Sequence, residues 1–163
     1  MKRFPYDFCS RDGVWYISGD QGISFSDGSQ AEDYLREVLS AAQDRSTDST
    51  TLAAAIKDWP SEYHLSPERA NLLRPLCIAP SARVLELGCG CGALTRYLGE
   101  NAGWVTAVEG NPHRAQLARR RCAGLNNVEI IAANFDEIVF ERRYDAVTLV
   151  GVLEYADLFW RRD

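Results

Sequence analysis

The residues whose types and spacing most clearly suggest ligand binding lie in one glycine-rich segment, ELGCGCG at 86–92. Glycines that follow a strand adopt positive φ angles readily and let a ligand approach the backbone closely. Glu86 stands two residues before the first glycine, and Glu109 follows 23 residues later. A carboxylate at position 86 suits a cationic ligand better than a pyrophosphate, which prefers bare backbone N–H groups. Glu109, at the end of a predicted strand, is placed to accept hydrogen bonds from ribose hydroxyl groups.

The elements that must position these residues alternate between strands and helices from residue 83 onward. Strands are predicted at 83–87, 104–109, 128–132 and 144–150, and helices at 94–100 and 111–123. This alternation is typical of right-handed βαβ units around a parallel sheet, in which ligands bind beyond the carboxyl ends of the strands. We therefore expect an α/β, Rossmann-like, doubly wound sheet of about four strands in the order 3-2-1-4.

Four motifs in this order resemble those of class I S-adenosylmethionine-dependent methyltransferases. VLELGCGCGALT at 84–95 resembles the first motif, and VEGN at 108–111 resembles the second. Asn134-Phe135 stands where these enzymes commonly carry an aspartate and an apolar residue, and 144–155 resembles the motif of the fourth strand. Asparagine departs from the family pattern, but its amide oxygen can still accept a hydrogen bond.

The resemblance, which spans about residues 61–160, implies an enzyme that binds S-adenosyl-L-methionine and transfers its methyl group without a metal ion. The cofactor-binding residues that it implies are Glu86, Gly88, Gly90 and Gly92 for the methionine end and the loop, Glu109 for the ribose, and Asn134 and Phe135 for the adenine. No catalytic residue can be assigned. The candidates for a general base are Tyr63, His64, Glu154 and Tyr155.

A narrower resemblance concerns 59–75 and GVLEYA at 151–156. These segments are similar to bacterial methyltransferases found joined to or beside glycosyltransferases of surface polysaccharide synthesis. The expected acceptor is a small molecule, a sugar or a lipid. Nucleic acid is disfavoured, because the chain has a formal net charge of −5 and phosphate contacts need concentrated positive charge.

Two other functions stay open. The first is an NAD(P)- or flavin-dependent oxidoreductase, since Gly88, Gly90 and Ala93 loosely fit the G-x-G-x-x-G/A pattern, although Glu86 weighs against it. The second is a non-catalytic cofactor-binding module. It is favoured by the end of the sequence just after the fourth strand, where a full class I sheet has further strands. We expect a domain truncated at its C-terminus, with self-association through the apolar fourth-strand edge.

The N-terminal residues 1–50 are predicted to form an appendage to the cofactor-binding domain at 51–163. Its β-hairpin would pair 14–18 with 22–27, and its helix would span 30–43 after a capping box from Ser29 to Glu32. Short helices are predicted at 51–59, ending near Trp59-Pro60, and at 67–74.

Composition sets the remaining limits. The chain has 163 residues, of which 46% are hydrophobic and 25% charged, as in an ordinary globular domain. No apolar segment approaches the ~18 residues that would span a membrane. Five cysteines and the lack of an apolar signal core indicate reduced thiols in the cytoplasm. Cys89 and Cys91 are interpreted as small turn residues, because structural zinc usually takes four ligands in paired spacings.

Overall fold

The computed structural model describes residues 8–17 and 26–155, except the side chain of Tyr155. Within these residues one sheet of six strands forms the centre of the molecule, in the order β1-β2-β5-β4-β3-β6. The strands are Phe8–Arg11 (β1), Val14–Ile17 (β2), Arg83–Leu87 (β3), Trp104–Glu109 (β4), Val128–Ala132 (β5) and Ala146–Leu149 (β6). Neighbouring strands are parallel, except for the antiparallel pair β1–β2. The mixed α/β sheet is consistent with a Rossmann-like fold.

The prediction of a four-stranded sheet in the order 3-2-1-4 is wrong, because a hairpin extends the sheet. The order 3-2-1-4 describes only the segment β5-β4-β3-β6. Strand β2 adds to the free side of β5, with Val14 opposite Ile130 and Tyr16 opposite Ala132. Val14 and Ile130 are both completely buried, so apolar burial accompanies this pairing.

The hairpin itself differs from the predicted one. Its strands are β1 and β2, and they are joined by Asp12-Gly13, where both φ angles are positive at 52° and 77°. Two central residues with positive φ are what a tight hairpin turn requires. Of the predicted partner strand 22–27, residues 22–25 lie outside the described residues. The predicted pairing is wrong, because β1 and β5 already occupy both edges of β2.

Five α-helices flank the described sheet: Ser29–Ala41 (α1), Thr50–Ala54 (α2), Trp59–Leu65 (α3), Ala93–Asn101 (α4) and Pro112–Arg121 (α5). The predicted helix at 67–74 is instead a 3₁₀ turn at Pro67–Leu72. The predicted capping box of α1 is also wrong. Gly28 is the N-cap, and the Ser26 hydroxyl donates to the Glu32 carboxylate at 2.8 Å.

Helix α3 begins where the sequence predicted an ending. The Asp58 side chain accepts from the backbone N–H of Ser61 at 2.9 Å, and Pro60 lies in the first turn, where a proline costs no helical hydrogen bond. Trp59-Pro60 therefore starts a helix. This helix carries Tyr63 and His64 to the carboxyl ends of the strands.

Two apolar layers enclose the sheet. One face packs Val84, Val105 and Ile130 against α4 and α5, and the other contains Leu85, Val108 and Ile131. A separate cluster joins α1, α2, α3 and α5 through five leucines: Leu35, Leu39, Leu52, Leu65 and Leu117.

The N-terminal elements are in contact with the remainder of the chain. The boundary at residue 50 stays a prediction, although β2 pairs with β5 and α1 packs on α5. None of the helices in the described ranges has the length and apolar character needed to cross a membrane.

Candidate functional site

A pocket of about 300 Å³ lies at the carboxyl ends of β3, β4 and β5, where the glycine loop faces α3. Its lining includes six of the seven residues predicted to bind a cofactor: Glu86, Gly88, Gly90, Glu109, Asn134 and Phe135. These residues come from separate turns of the chain. The parallel sheet brings them together because the carboxyl ends of its strands meet at one edge.

The glycine loop is held against the end of β4. The backbone N–H groups of Gly88 and Cys89 both donate to the carbonyl oxygen of Val108, at 2.8 and 2.9 Å. Gly88 has φ +76°, and a Cβ there would lie 2.3 Å from Cγ2 of Val152. Only glycine fits this position without displacing the segment that follows β6.

Gly92 lies outside the pocket lining and against helix α5. A Cβ on Gly92 would lie 2.7 Å from the Cα of Ala118. The structure therefore explains this glycine by close packing of the loop on α5. It gives no support for the contact with a cofactor that was predicted for Gly92.

The carboxylate of Glu109 is fixed by the backbone on both sides. Oε2 accepts from the N–H of Gly90 at 2.7 Å, and Oε1 accepts from the N–H of Asn111 at 2.9 Å. Burial raises the pKa of Glu109, while the Arg114 charge and these two N–H groups act in the opposite direction. Each oxygen keeps lone-pair capacity, so the carboxylate can also accept from a diol.

Glu86 is the most desolvated acid of the pocket. Glu86 is 4% exposed, and its Oε2 has no hydrogen-bond partner among the described residues. Burial raises the pKa of Glu86 to about 8; nearby Thr95 opposes this shift and the Glu109 charge adds to it. A carboxylate in this state would be stabilised by a cation that enters the pocket.

Asn134 and Phe135 follow β5 and lie on a third side of the pocket. Asn134 precedes the 3₁₀ turn Phe135–Glu137, and its side chain does not cap that turn. The ring of Phe135 packs against the apolar cluster that contains Leu85. A polar group and an aromatic ring therefore lie side by side at this end of the pocket.

Comparison with known proteins shows similarity to methyltransferases. Residues 84–162 match the family model of a methyltransferase domain. The chain is 28% identical over 102 residues to cyclopropane-fatty-acyl-phospholipid synthase from Escherichia coli strain K12, covering 60% of this chain and 26% of that protein. It is 35% identical over 78 residues to an rRNA adenine N-6-methyltransferase from Saccharopolyspora erythraea, covering 48% and 20%.

The matched segment and these relatives support a class I S-adenosylmethionine-dependent methyltransferase. Its match spans about a quarter of the length of the first relative and a fifth of the second. Among solved structures, phosphoethanolamine N-methyltransferase 1 from Haemonchus contortus aligns with a TM-score of 0.49 and 18% identity, over 77% of this chain and 27% of that one. The narrower resemblance to glycosyltransferase-associated methyltransferases stays a prediction.

The pocket also contains a charged cluster that the sequence analysis missed. Nε2 of His64 lies 2.7 Å from Oδ2 of Asp27, and an Arg114 NH2 group donates to the same oxygen at 3.3 Å. All three residues line the pocket. Sequence separations of 37 and 87 residues left no local pattern from which this contact could be predicted.

Cys91 lies beside the cluster without forming a nucleophile–base pair. Its Sγ is 3.8 Å from Nε2 of His64, the same nitrogen that faces Asp27. A catalytic relay needs the acid and the nucleophile on different nitrogens of the imidazole. Burial raises the pKa of the Cys91 thiol to about 12, which keeps the sulfur protonated.

The candidates for a general base are divided by the structure. Tyr63 and His64 line the pocket, whereas Glu154 is exposed outside its lining. The side chain of Tyr155 lies outside the described residues. Tyr63 packs between Trp59, with ring centroids 5.4 Å apart, and the guanidinium of Arg69, 3.9 Å above its ring.

Proposed function

We propose that this chain is the cofactor-binding part of an S-adenosyl-L-methionine-dependent methyltransferase, and that the pocket between Glu86 and Glu109 holds the cofactor. The observation that carries the proposal is the pair of buried carboxylates on neighbouring strands. Glu86 is strongly desolvated, and a cation beside it would stabilise its negative charge. Glu109 is held by two backbone N–H groups and can accept further hydrogen bonds.

The amino-acid end of the cofactor carries an ammonium and a carboxylate, and the pocket offers a partner for each. Oε2 of Glu86 is suited to the ammonium. Arg69 lines the same pocket, and its buried Nε has no hydrogen-bond partner among the described residues. We assign Arg69, which the sequence analysis did not single out, to the carboxylate.

The nucleoside end fits the other residues of the lining. The two Glu109 oxygens keep lone pairs beyond their backbone hydrogen bonds and would accept from a vicinal diol. The Asn134 amide oxygen would accept from the adenine amine, and Phe135 would pack beside the ring. Gly88 and Gly90 have no side chain between the loop and the pocket wall: a Cβ would lie 2.3 Å from Val152 at position 88 and 3.4 Å from Arg114 at position 90.

When bound, the cofactor supplies an electrophilic methyl group on a sulfonium, for in-line transfer to a nucleophile. The contribution of this chain is to orient the cofactor and to exclude water from the pocket. Tyr63 and His64 are the candidate bases that line the pocket. We assign the step of proton removal to neither, and the catalytic residue stays unknown.

The acceptor is proposed to be a small molecule, a glycan or a lipid. The net charge of −5 and the four acidic residues of the pocket lining disfavour a polyanion. The rRNA methyltransferase among the relatives leaves the exclusion of nucleic acid as a proposal only. A cytoplasmic location is proposed from the cysteines, since the described structure has all five as free thiols.

Self-association through the edge strand β6 stays a prediction. Val147 and Leu149 on this strand are 52% and 39% exposed, which supports it.

The oxidoreductase alternative is weakened by Glu86, because a buried acid at the loop would face the pyrophosphate of a dinucleotide. The non-catalytic alternative would bind the cofactor and transfer no methyl group.

Calorimetric titration with S-adenosylhomocysteine tests the proposed function. Binding should be lost or weakened at least tenfold in Glu109→Ala, because a hydrogen bond to a charged group contributes about 1.5–3 kcal/mol. Glu129→Gln is the matched control, since Glu129 is also a buried strand acid but does not line the pocket. Absence of binding by a folded chain, equal binding by Glu109→Ala, or tighter binding of NAD would contradict the proposal.

A further inference from the structure

One carboxylate oxygen of Asp27 joins three segments of the chain beside the pocket. Oδ2 of Asp27 lies 2.7 Å from Nε2 of His64 on α3 and 3.3 Å from NH2 of Arg114 on α5. Asp27 immediately precedes Gly28, the N-cap of α1. A single carboxylate oxygen therefore connects the start of α1 to both α3 and α5.

This junction forms part of the pocket wall. Asp27, His64 and Arg114 all line the pocket, and their side chains are 15%, 3% and 6% exposed. Cε1 of His64 and NH2 of Arg114 lie 3.9 and 3.4 Å from the position that a Cβ on Gly90 would occupy. Separation of Asp27 from these partners would uncover the pocket next to the glycine loop.

We propose that Asp27 and His64 form a proton-sensitive clasp that fastens the start of α1 over the pocket, closed while His64 is neutral and opened when His64 takes up a proton. In the closed clasp, Nε2–H of neutral His64 donates to ionised Asp27, which can only accept. In the open clasp, a proton from water occupies the second ring nitrogen and the imidazolium is hydrated.

The groups around His64 decide the direction of this effect. Burial lowers the pKa of His64, and the positive charges of Arg114 on α5 and Arg69 on the 3₁₀ turn lower it further; the Asp27 bond partly opposes them. Cys91 of the glycine loop contacts Nε2 but stays protonated, and Tyr63 on α3 packs edge-to-face. The closed clasp therefore binds the proton less well than an open one, and acid favours opening.

The pH range follows from this linkage. A histidine with a lowered pKa stabilises the closed state fully above its ordinary value of about 6.5, and this contribution is lost as the pH falls below that value. Asp27 stays ionised over the same range, because the His64 hydrogen bond and the Arg114 charge lower its pKa.

Amide hydrogen exchange of the whole chain tests the clasp without any ligand, and so independently of the proposed function. The readout is the protection factor of the Glu32 amide, which donates to the Gly28 carbonyl in the first turn of α1. Protection should fall between pH 8 and pH 5, with a limiting slope of about tenfold per pH unit for one proton. The Ile130 amide in the sheet serves as the reference for global opening.

Two variants and a second probe complete the test. His64→Gln should abolish the pH step, whereas His113→Gln should retain it, because His113 is the only other histidine and is exposed. If His64→Gln does not fold, the wild type still decides, since protection must fall between the ordinary histidine pKa of about 6.5 and the lower pKa that NMR reports for His64 in the closed chain. Constant Glu32 protection while His64 titrates, or a pH step that persists in His64→Gln, would overturn the clasp.

Discussion

The carboxylate of Glu109 accepts a hydrogen bond at 2.7 Å from the backbone N–H of Gly90, 19 residues earlier in the chain. This bond ties the end of β4 to the loop after β3. The acid proposed to bind the ribose therefore also fixes the conformation of the glycine loop. Loss of the Glu109 carboxylate should disturb both features together.

Two glycines with the same φ angle separate the effect of packing from the effect of positive φ. Gly92 and Gly124 both have φ +86°, but a Cβ on Gly92 meets Ala118 at 2.7 Å, whereas a Cβ on Gly124 meets nothing within 4 Å. We expect Gly124→Ala to lower the free energy of unfolding by about 1 kcal/mol and Gly92→Ala to lower it by clearly more. Urea unfolding measures both; equal losses would contradict the packing role of Gly92.

The buried Glu86 should destabilise the free protein at high pH. Its pKa is about 8 in the folded chain against 4.5 for an ordinary glutamate, so the folded state holds the proton more tightly. This stabilisation is complete below about pH 4.5 and is lost as the pH rises through about 8.

Glu86→Gln tests that linkage, because glutamine keeps the shape and cannot ionise. The variant should gain about 2–4 kcal/mol in free energy of unfolding relative to wild type between pH 5 and pH 9, since a pKa difference of one corresponds to about 1.4 kcal/mol. The measurement is urea unfolding at both pH values. A gain in the free energy of unfolding that is equal at pH 5 and pH 9 would show that Glu86 is ionised in the folded chain at both pH values.

The five cysteines should fall into two classes of reactivity. Cys9 and Cys77 are exposed, whereas Cys89, Cys91 and Cys122 are buried, and burial raises the pKa of each of these three thiols. An aromatic disulfide reagent should therefore modify two thiols quickly in the native chain and all five in urea. Rapid modification of a third thiol in the native protein would contradict the described packing of the glycine loop or of α5.

The local part of the fold could be predicted from the sequence. Strands β3, β4 and β5 coincide with the predicted strands, because each is largely buried and most of its residues are apolar. Asn111 caps α5 as its sequence indicates, accepting from the N–H groups of His113 and Arg114. Such signals depend on a few neighbouring residues.

The N-terminal hairpin combines a turn that the sequence does indicate with a strand pairing that no local pattern indicates. Asp12-Gly13 is a strong hairpin signal and marks the observed turn, whereas the sequence analysis placed the turn at 19–21. The pairing of β2 with β5 joins residues more than a hundred positions apart. No local pattern specifies which free sheet edge accepts such a strand.

In the candidate site, too, some residues could be predicted from local sequence patterns and others could not. The glycines and the two acids stand at strand ends that the pattern already defined. Asp27 and Arg69 precede the first strand of the predicted domain. Asp27 is brought to the pocket by the packing of α1 on α3 and α5, and Arg69 by the packing of its 3₁₀ turn on α4. Their partners are fixed by tertiary contacts that no spacing in the sequence encodes.

Proton release during S-adenosylhomocysteine binding tests the central claim most directly. At pH 7 most free chains hold a proton on Glu86, and the cofactor ammonium should displace it. Calorimetry in two buffers of different ionisation enthalpy should therefore detect release of about one proton per ligand bound by the wild type, and much less by Glu86→Gln. Binding without proton release, or with the same release in Glu86→Gln, would contradict the placement of the cofactor ammonium beside Glu86.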